Sequence, residues 1–177
     1  MLTRTDIENY FLAEKTGGAL LLVLGSLCIL TSLVFLLLLK TPFYKGAAWP
    51  LVLAGLAFCF VGFTVHQRSD GDRIAQVYAL DMNPDSLKSR ELPRMELVMK
   101  RFALYRYAEI ALIVLGLTIF TYCRWNYSFP FWKGLGAALA IVAICAQLFD
   151  HFAEKRGAAY HKKLSAYCAE KKGPEAP

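Results

Sequence analysis

The chain has 177 residues, of which 56% are hydrophobic and 19% charged, and its formal net charge at pH 7 is +6. A soluble domain of this length intersperses its charges among its apolar residues. Here four blocks contain no Asp, Glu, Lys or Arg, namely 17–39, 47–65, 110–123 and 134–149. The composition therefore excludes an ordinary soluble domain and indicates an integral membrane protein.

Each apolar block, taken with its flanks, is long enough to cross a bilayer as a helix, which needs about 20 residues. We predict membrane spans at 17–40, 47–66, 103–123 and 130–151. The first block exceeds the roughly 7–15 apolar residues of a secretory signal and lacks a basic head, so we expect a retained helix. The fold class predicted is all-α, an up-down bundle of four membrane helices.

The polar segments next to the predicted spans carry apolar residues at the spacing of an amphipathic helix. Residues 1–16 are predicted to form an amphipathic head helix that begins with a capping box of Thr5 and Glu8. Residues 67–102 are predicted to form a helical hairpin and 152–172 a helical tail, because their apolar residues recur in steps of three and four. We expect one membrane domain, 1–177, whose helices extend into the cytoplasm.

The distribution of basic residues predicts the orientation in the membrane. Of the 20 Lys and Arg residues, 16 lie in the head, in the stretch 68–106 or in the tail, and the other four flank the two short loops. The positive-inside rule then places both termini in the cytoplasm. The tryptophans Trp49, Trp125 and Trp132 all flank the short loops, as expected of an interfacial belt on the outer face. We predict a multi-pass protein of a bacterial-type inner membrane.

Common chemical motifs do not occur in the sequence. The five cysteines form no C-x-x-C or metal-type spacing, and there is no phosphate loop and no serine-nucleophile motif. We therefore expect no cofactor, no metal and no catalytic set. The excess of basic over acidic residues is explained by the membrane topology and by attraction to anionic lipid head groups, so nucleic acid is not an expected partner.

Glu109 is the strongest candidate for a functional residue. It lies inside the third predicted span, on the helical face that also carries Phe102, Leu112 and Gly116. It is therefore predicted to point into the bundle. Ionisable groups at membrane depth are energetically costly and usually functional.

The topology predicts a polar layer around Glu109 at the inner mouth of the bundle. Its expected members are Glu109, Arg106, His66, Gln147, Asp150, His151 and Lys15. Four interpretations are open: a structural ion pair of Glu109 with Arg106 or Lys15, a ligand or partner contact, a proton or ion path, and a metal site that adds Glu154. A separate candidate partner contact is Met95, Met99 and Arg94, since methionines on a basic face suit an adaptable protein contact; core packing is the alternative.

For function, the leading hypothesis is a non-enzymatic membrane protein that acts by protein–protein interaction, as an accessory subunit or as an immunity-type antagonist of a membrane-targeting toxin. Its partners would be the lipid bilayer and a membrane protein or a second copy of the chain. One alternative is a small oligomeric channel or proton-coupled carrier that uses Glu109. The other is a membrane enzyme with a lipid-soluble substrate.

Overall fold

The computed structural model describes residues 2–125 and 129–170, which form four long helices joined by short connections. They are α1 (Arg4–Leu39), α2 (Pro42–Met82), α3 (Pro84–Trp125) and α4 (Pro130–Glu170). Each is long and apolar enough to cross a membrane. The predicted all-α, four-helix up-down bundle is therefore confirmed, and the protein is a multi-pass membrane protein.

The bundle has two distinct ends. We call the end that carries Arg4 and Glu170 the terminal side, and the end that carries the connections after α1 and α3 the loop side. The helices have 36 to 42 residues, about twice the length that a bilayer requires. Each helix therefore continues beyond its apolar block on the terminal side, where α2 and α3 meet at Asn83.

The start of α1 differs from the prediction. The helix begins at Arg4, and its capping box is formed by Thr3 and Asp6. The Thr3 hydroxyl accepts a hydrogen bond from the Asp6 amide at 3.2 Å, and the Asp6 carboxylate accepts one from the Thr3 amide at 3.0 Å. The predicted box of Thr5 and Glu8 is wrong, because both residues already lie inside the helix.

The two hairpins α1–α2 and α3–α4 repeat one plan. The second helix of each hairpin begins with nearly the same five residues, 42–46 (PFYKG) and 130–134 (PFWKG), and each of these helices has 41 described residues. Proline suits the first helical position because the amide hydrogen that it lacks would have no partner there.

A reciprocal contact joins the two hairpins on the loop side. A Cβ added to Gly46 would overlap the carbonyl oxygen of Phe131, and a Cβ added to Gly134 would overlap that of Phe43. Equivalent residues of the two hairpins thus make the same contact in both directions, as expected of two units related by a two-fold axis. The hairpins are thus two parallel repeats whose second helices, α2 and α4, cross at a pair of glycines.

Within the first hairpin, small residues recur every seven positions along the contact between the helices. They are Gly18, Gly25 and Ser32 on α1 and Ala48, Gly55 and Gly62 on α2, all buried. A Cβ on Gly25 would come within 2.7 Å of the Gly55 carbonyl oxygen. In lipid, where burying apolar surface gives helices no advantage, such close backbone packing is a main source of association.

The second hairpin keeps this close contact only on the loop side. There a Cβ on Gly116 would come within 2.9 Å of the Gly136 carbonyl oxygen. Seven and fourteen residues before Gly116, α3 carries Glu109 and Phe102 in place of further small residues. Side chains of this size enter the interior of the bundle, where the first hairpin has only backbone.

The helices are arranged in the order α1, α2, α4, α3. Helix α2 packs against both α1 and α4, and α3 packs against α4. In the described part of the chain, no Cα of 92–125 comes within 8 Å of α1 or α2. The bundle is therefore open between α3 and the first hairpin.

A buried cluster closes the terminal side of the bundle. It joins the head of α1, the end of α2, the start of α3 and the end of α4 through Leu2, Ile7, Phe11, Ala79, Leu87, Met95, Tyr160, Leu164 and Cys168. Tyr10 stacks on Tyr160 with ring centroids 4.3 Å apart. We call these residues the terminal cluster.

The terminal cluster also contains a charged pair. Glu91 is 1% exposed, and Arg94 donates two hydrogen bonds of 2.7 Å to its carboxylate. A bidentate pair of this kind meets the hydrogen-bonding needs of a carboxylate out of water. Burial raises the pKa of Tyr10 and of Tyr160 above the usual range of a phenol, so both rings remain neutral beside the pair.

Candidate functional site

The opening between α3 and the first hairpin forms a cavity, which we call the terminal cavity. It has a volume of about 410 Å³ and is lined by side chains of all four helices. Its walls are mainly apolar, with Val61 and Val65 on α2, Phe102 on α3 and Phe149 on α4. A pocket of this size and character falls in the range of about 300–1,000 Å³ that suits small ligands.

A second cavity, the loop cavity, lies between α2, α3 and α4 towards the loop side. It also measures about 410 Å³, and its walls are almost entirely apolar, from Trp49 and Leu53 to Leu112 and Leu139. Among the described residues that line it, Glu109 is the one ionisable residue.

Glu109 belongs to the walls of both cavities, together with Phe58 and Ala146. These three residues lie where the terminal cavity and the loop cavity approach each other. Within the described part of the chain, Glu109 is therefore the one residue with a carboxyl group that lines both cavities.

The immediate neighbours of Glu109 are polar groups of α4. Its carboxyl group interacts directly with that of Asp150. Within the described residues, Glu109 Oε2 and Gln147 Oε1 are buried without a hydrogen-bond partner. Buried polar atoms without partners are rare in proteins, and a bound proton, water or ligand commonly satisfies them.

The structure brings together three of the predicted members of the polar layer and separates the other four. Glu109, Asp150 and Gln147 all lie in the interior between α3 and α4. Arg106 instead turns outwards and meets Glu154, with both carboxylate oxygens 3.4 Å from its Nη1. His151 is exposed.

The remaining two predicted members lie on the α1–α2 side. Lys15 pairs with Asp70 at 2.5 Å, and its ammonium group holds the pKa of that carboxyl below the usual range. His66 Nδ1 lies 3.3 Å from the backbone oxygen of Lys15. The interpretation of Glu109 as half of a structural ion pair with Arg106 or Lys15 is therefore wrong, because both cations bind other carboxylates.

The metal-site interpretation combined Glu109, Asp150, His151 and Glu154. In the ranges 2–125 and 129–170, no three His, Cys, Asp or Glu side chains are placed to hold one metal ion. Glu154 is occupied by Arg106, and His151 points away from the interior.

The candidate partner contact falls partly inside the terminal cluster. Met95 has no exposed surface, and Arg94 binds Glu91 and lies 5.8 Å from the centre of the Phe11 ring. Core packing, the alternative considered for these residues, describes the position of Met95. Met99 is half-buried, and its sulfur would lie 3.5 Å from a Cβ added to Gly157.

Arginines at the terminal end of the terminal cavity were missed as site residues in the sequence. Arg68, Arg101 and Arg156 line this end, one each from α2, α3 and α4. Arg68 binds Glu14 at 2.9 Å. In the described part of the chain, neither Arg101 nor Arg156 has a carboxylate within 4.0 Å.

The fold and the site together define the class of the protein as a multi-pass membrane protein built from two repeated helical hairpins, with two open cavities that share the carboxyl group of Glu109. Comparison with protein-family models, with curated proteins and with solved structures finds no match to the chain.

Proposed function

We propose that the protein is a small proton-coupled carrier in which the carboxyl pair of Glu109 and Asp150 is the proton-binding site. The observation that supports this proposal is the position of Glu109 on the walls of both the terminal cavity and the loop cavity. The cavities favour this alternative over the interaction hypothesis, which remains a prediction without a described surface to support it.

A carboxyl pair suits proton coupling for a physical reason. Two carboxylates in contact repel each other, and one proton shared between them removes this repulsion. Glu109 and Asp150 interact directly, and neither is bound by a basic side chain among the described residues. If a lysine or arginine were paired with these carboxyl groups, the pair would stay ionised and serve a structural role. Without such a partner, a proton can bind to the pair and leave it again.

The repeated architecture gives the carrier a means of alternating access. Several transporter folds consist of two repeats, with the binding site near the interface between them and one repeat rocking against the other. In this chain the backbones of α3 and α4 come into contact at Gly116 and Gly136, on the loop side. Rocking of α3 about this contact would widen or close the terminal cavity while Glu109 moves between the two cavities.

The proposal is tested by proton movement in liposomes loaded with a pH-sensitive dye. The driving gradients are two ions that cannot carry a proton themselves, decanesulfonate as an amphipathic anion and tetraphenylphosphonium as an amphipathic cation. We expect one of them to drive proton movement in vesicles that contain the protein, and Glu109→Gln to abolish it.

The matched control for this experiment is Glu154→Gln. It removes a carboxylate from α4 one turn beyond Asp150, but Glu154 binds Arg106 outside the cavities. Proton movement that is equal in Glu109→Gln and wild-type vesicles, or absent with both ions, would contradict the proposal.

We further propose that the carrier resides in a bacterial-type inner membrane with the terminal side in the cytoplasm. The excess of basic residues on the terminal side supports this orientation. Labelling of intact cells with a membrane-impermeant maleimide tests it in a chain freed of its native cysteines. Thr41→Cys on the loop side should be labelled and Ser86→Cys on the terminal side protected; the reverse pattern would invert the topology.

A further inference from the structure

The terminal end of the terminal cavity combines positive charge with an apolar interior. Arg101 of α3 and Arg156 of the adjacent α4 both line this end of the cavity. Neither has a carboxylate partner among the described residues. A guanidinium group that is not paired within the protein binds carboxylate, sulfonate or phosphate oxygens well, through two parallel hydrogen bonds.

The neighbouring Arg68 is already neutralised. It donates a 2.9 Å hydrogen bond to Glu14, whose side chain is largely buried. The net charge that faces a ligand at this end of the cavity is therefore carried by Arg101 and Arg156.

The rest of the terminal cavity suits a hydrocarbon chain. Beyond the arginines its walls are Val61, Val65, Phe102 and Phe149, and they lead towards Phe58 and the loop cavity. A ligand that satisfies both parts of this surface has an anionic head and an apolar body. An amphipathic cation would meet the two arginines on entry and be repelled.

We propose that the site binds a single-chain amphipathic anion, with its head held by Arg101 and Arg156 and its chain along the apolar wall towards Glu109. This inference rests on the proposed function for its transport step, while the binding step stands independently. One chain fits better than two, because about 410 Å³ lies near the small end of the range for ligand pockets.

The same geometry sets the direction of coupling. A bound anion lies in the cavity that contains the carboxyl pair, so a negative charge on Glu109 opposes its binding and a proton there removes the repulsion. Proton and anion therefore favour each other's binding reciprocally, which is the coupling expected of a carrier that moves both in the same direction.

The test is equilibrium binding of parinarate, a fluorescent single-chain carboxylate, to the full chain in nanodiscs of zwitterionic lipid. The buffer is near neutral pH rather than alkaline, because full ionisation of Glu109 would oppose anion binding. A free carboxylic acid is already ionised there, and the methyl ester of the probe serves as the uncharged probe. We expect the ester to bind at least about tenfold more weakly than the acid, since a charge-assisted contact is worth about 1.5–3 kcal/mol.

The variant is Arg101→Gln with Arg156→Gln, and its control is Lys100→Gln with Lys155→Gln. Both pairs remove two positive charges from adjacent positions on the same two helices, but Lys100 and Lys155 are exposed and do not line the cavity. We expect parinarate affinity to fall at least tenfold in the arginine variant and to stay within about twofold in the lysine control. If the double variant does not fold, the two single variants provide the same comparison.

Three results would overturn the inference. These are equal binding of acid and ester, equal loss in the arginine and lysine variants, and complete displacement of parinarate when anionic phospholipid replaces the zwitterionic lipid. The last result would assign the arginines to a bilayer headgroup. Failure of the carrier proposal is distinguishable, because arginine-dependent binding without proton movement would retain the anion site and remove the coupling.

Discussion

Glu109 of α3 occupies the position in the second hairpin that Gly25 of α1 occupies in the first. Gly25 lies seven residues before Ser32, whose hydroxyl bonds the Ala48 carbonyl at 3.0 Å, and Glu109 lies seven residues before Gly116, which meets Gly136. Ala48 and Gly136 lie six residues after the first residue of α2 and α4, respectively. One repeat thus packs tightly where the other holds a carboxyl group and a cavity.

The glycine contact of the first hairpin makes a prediction about stability. A Cβ on Gly25 would lie 2.7 Å from backbone oxygen of Gly55, so Gly25→Ala must push α1 and α2 apart. We expect a loss of about 1–3 kcal/mol in the free energy of unfolding, the usual effect of overpacking. Unfolding of the detergent-solubilised protein by a denaturing detergent measures it.

Gly71→Ala is the matched control, because no atom lies within 4 Å of a Cβ at that position of α2. There the added methyl group should stabilise the helix by about 0.5–1 kcal/mol. Equal effects at the two positions would show that α1 and α2 do not pack through their backbones.

The spans were predictable from the sequence because a membrane span is determined by one contiguous stretch of residues and does not depend on contacts between distant parts of the chain. An apolar block that reaches about 20 residues with its flanks can cross the bilayer as a helix, which satisfies its backbone hydrogen bonds within the segment itself. The interior position of Glu109 was also predictable, since it shares a seven-residue repeat with Phe102 and Gly116. Asp150 was expected at the same depth, and the structure places it against Glu109.

The partners of the basic residues were not predictable in the same way. Topology gives the depth of a residue but not the direction in which its helix face points, so Arg106 was expected beside Glu109 and is found beside Glu154. Two of the arginines of the terminal cavity could have been recognised from the sequence as equivalent positions of the two repeats. Arg68 and Arg156 follow Pro42 and Pro130 by the same number of residues in the two repeats.

The buried pair of Glu91 and Arg94 makes a second prediction. Arg94→Leu leaves the Glu91 carboxylate buried without a partner and should cost about 3–5 kcal/mol. Glu91→Leu should cost less, because the Arg94 side chain is 28% exposed and can reach water. Replacing both by leucine should recover most of that loss, because apolar side chains suit the cluster. Thermal unfolding of the four proteins of this double-mutant cycle gives the coupling; additive losses would contradict a direct pair.

The head of α1 makes a prediction about pH. Hydrogen bonds from Lys163 and from Thr3 lower the pKa of Asp6 to about 2, and Asp6 precedes the predicted span 17–40. A carboxyl with a lowered folded-state pKa stabilises the fold above its unfolded value of about 3.9 and loses this contribution as the pH falls towards 2. The protection of the amides in the first turns of α1, that is, their exchange relative to the intrinsic rate at each pH, should therefore decrease as the pH falls from about 4 to about 2.

Asp6→Asn separates this effect from general acid unfolding. At neutral pH the variant should exchange faster than the wild type in the first turns, because the Lys163 contact of 2.6 Å is lost. Near pH 2 the two proteins should converge. A constant difference across the whole range would assign the effect to the capping hydrogen bonds alone.

The last prediction concerns what Glu109 contributes to stability. Its Oε2 atom is buried without a hydrogen-bond partner in the described part of the chain, and its carboxyl group lies against that of Asp150. Such an arrangement is unfavourable for folding and is typical of a residue kept for function. Glu109→Gln keeps the shape of the side chain and removes its charge. At a pH where both carboxyl groups are ionised, the variant should therefore have a higher unfolding temperature than the wild type. Asp150→Asn should also raise the unfolding temperature. The double variant should raise it by less than the sum of the two single changes, because either substitution alone ends the repulsion.

A lower unfolding temperature and a lower folding yield in Glu109→Gln would instead make Glu109 a structural anchor of α3 and remove the basis of the carrier proposal.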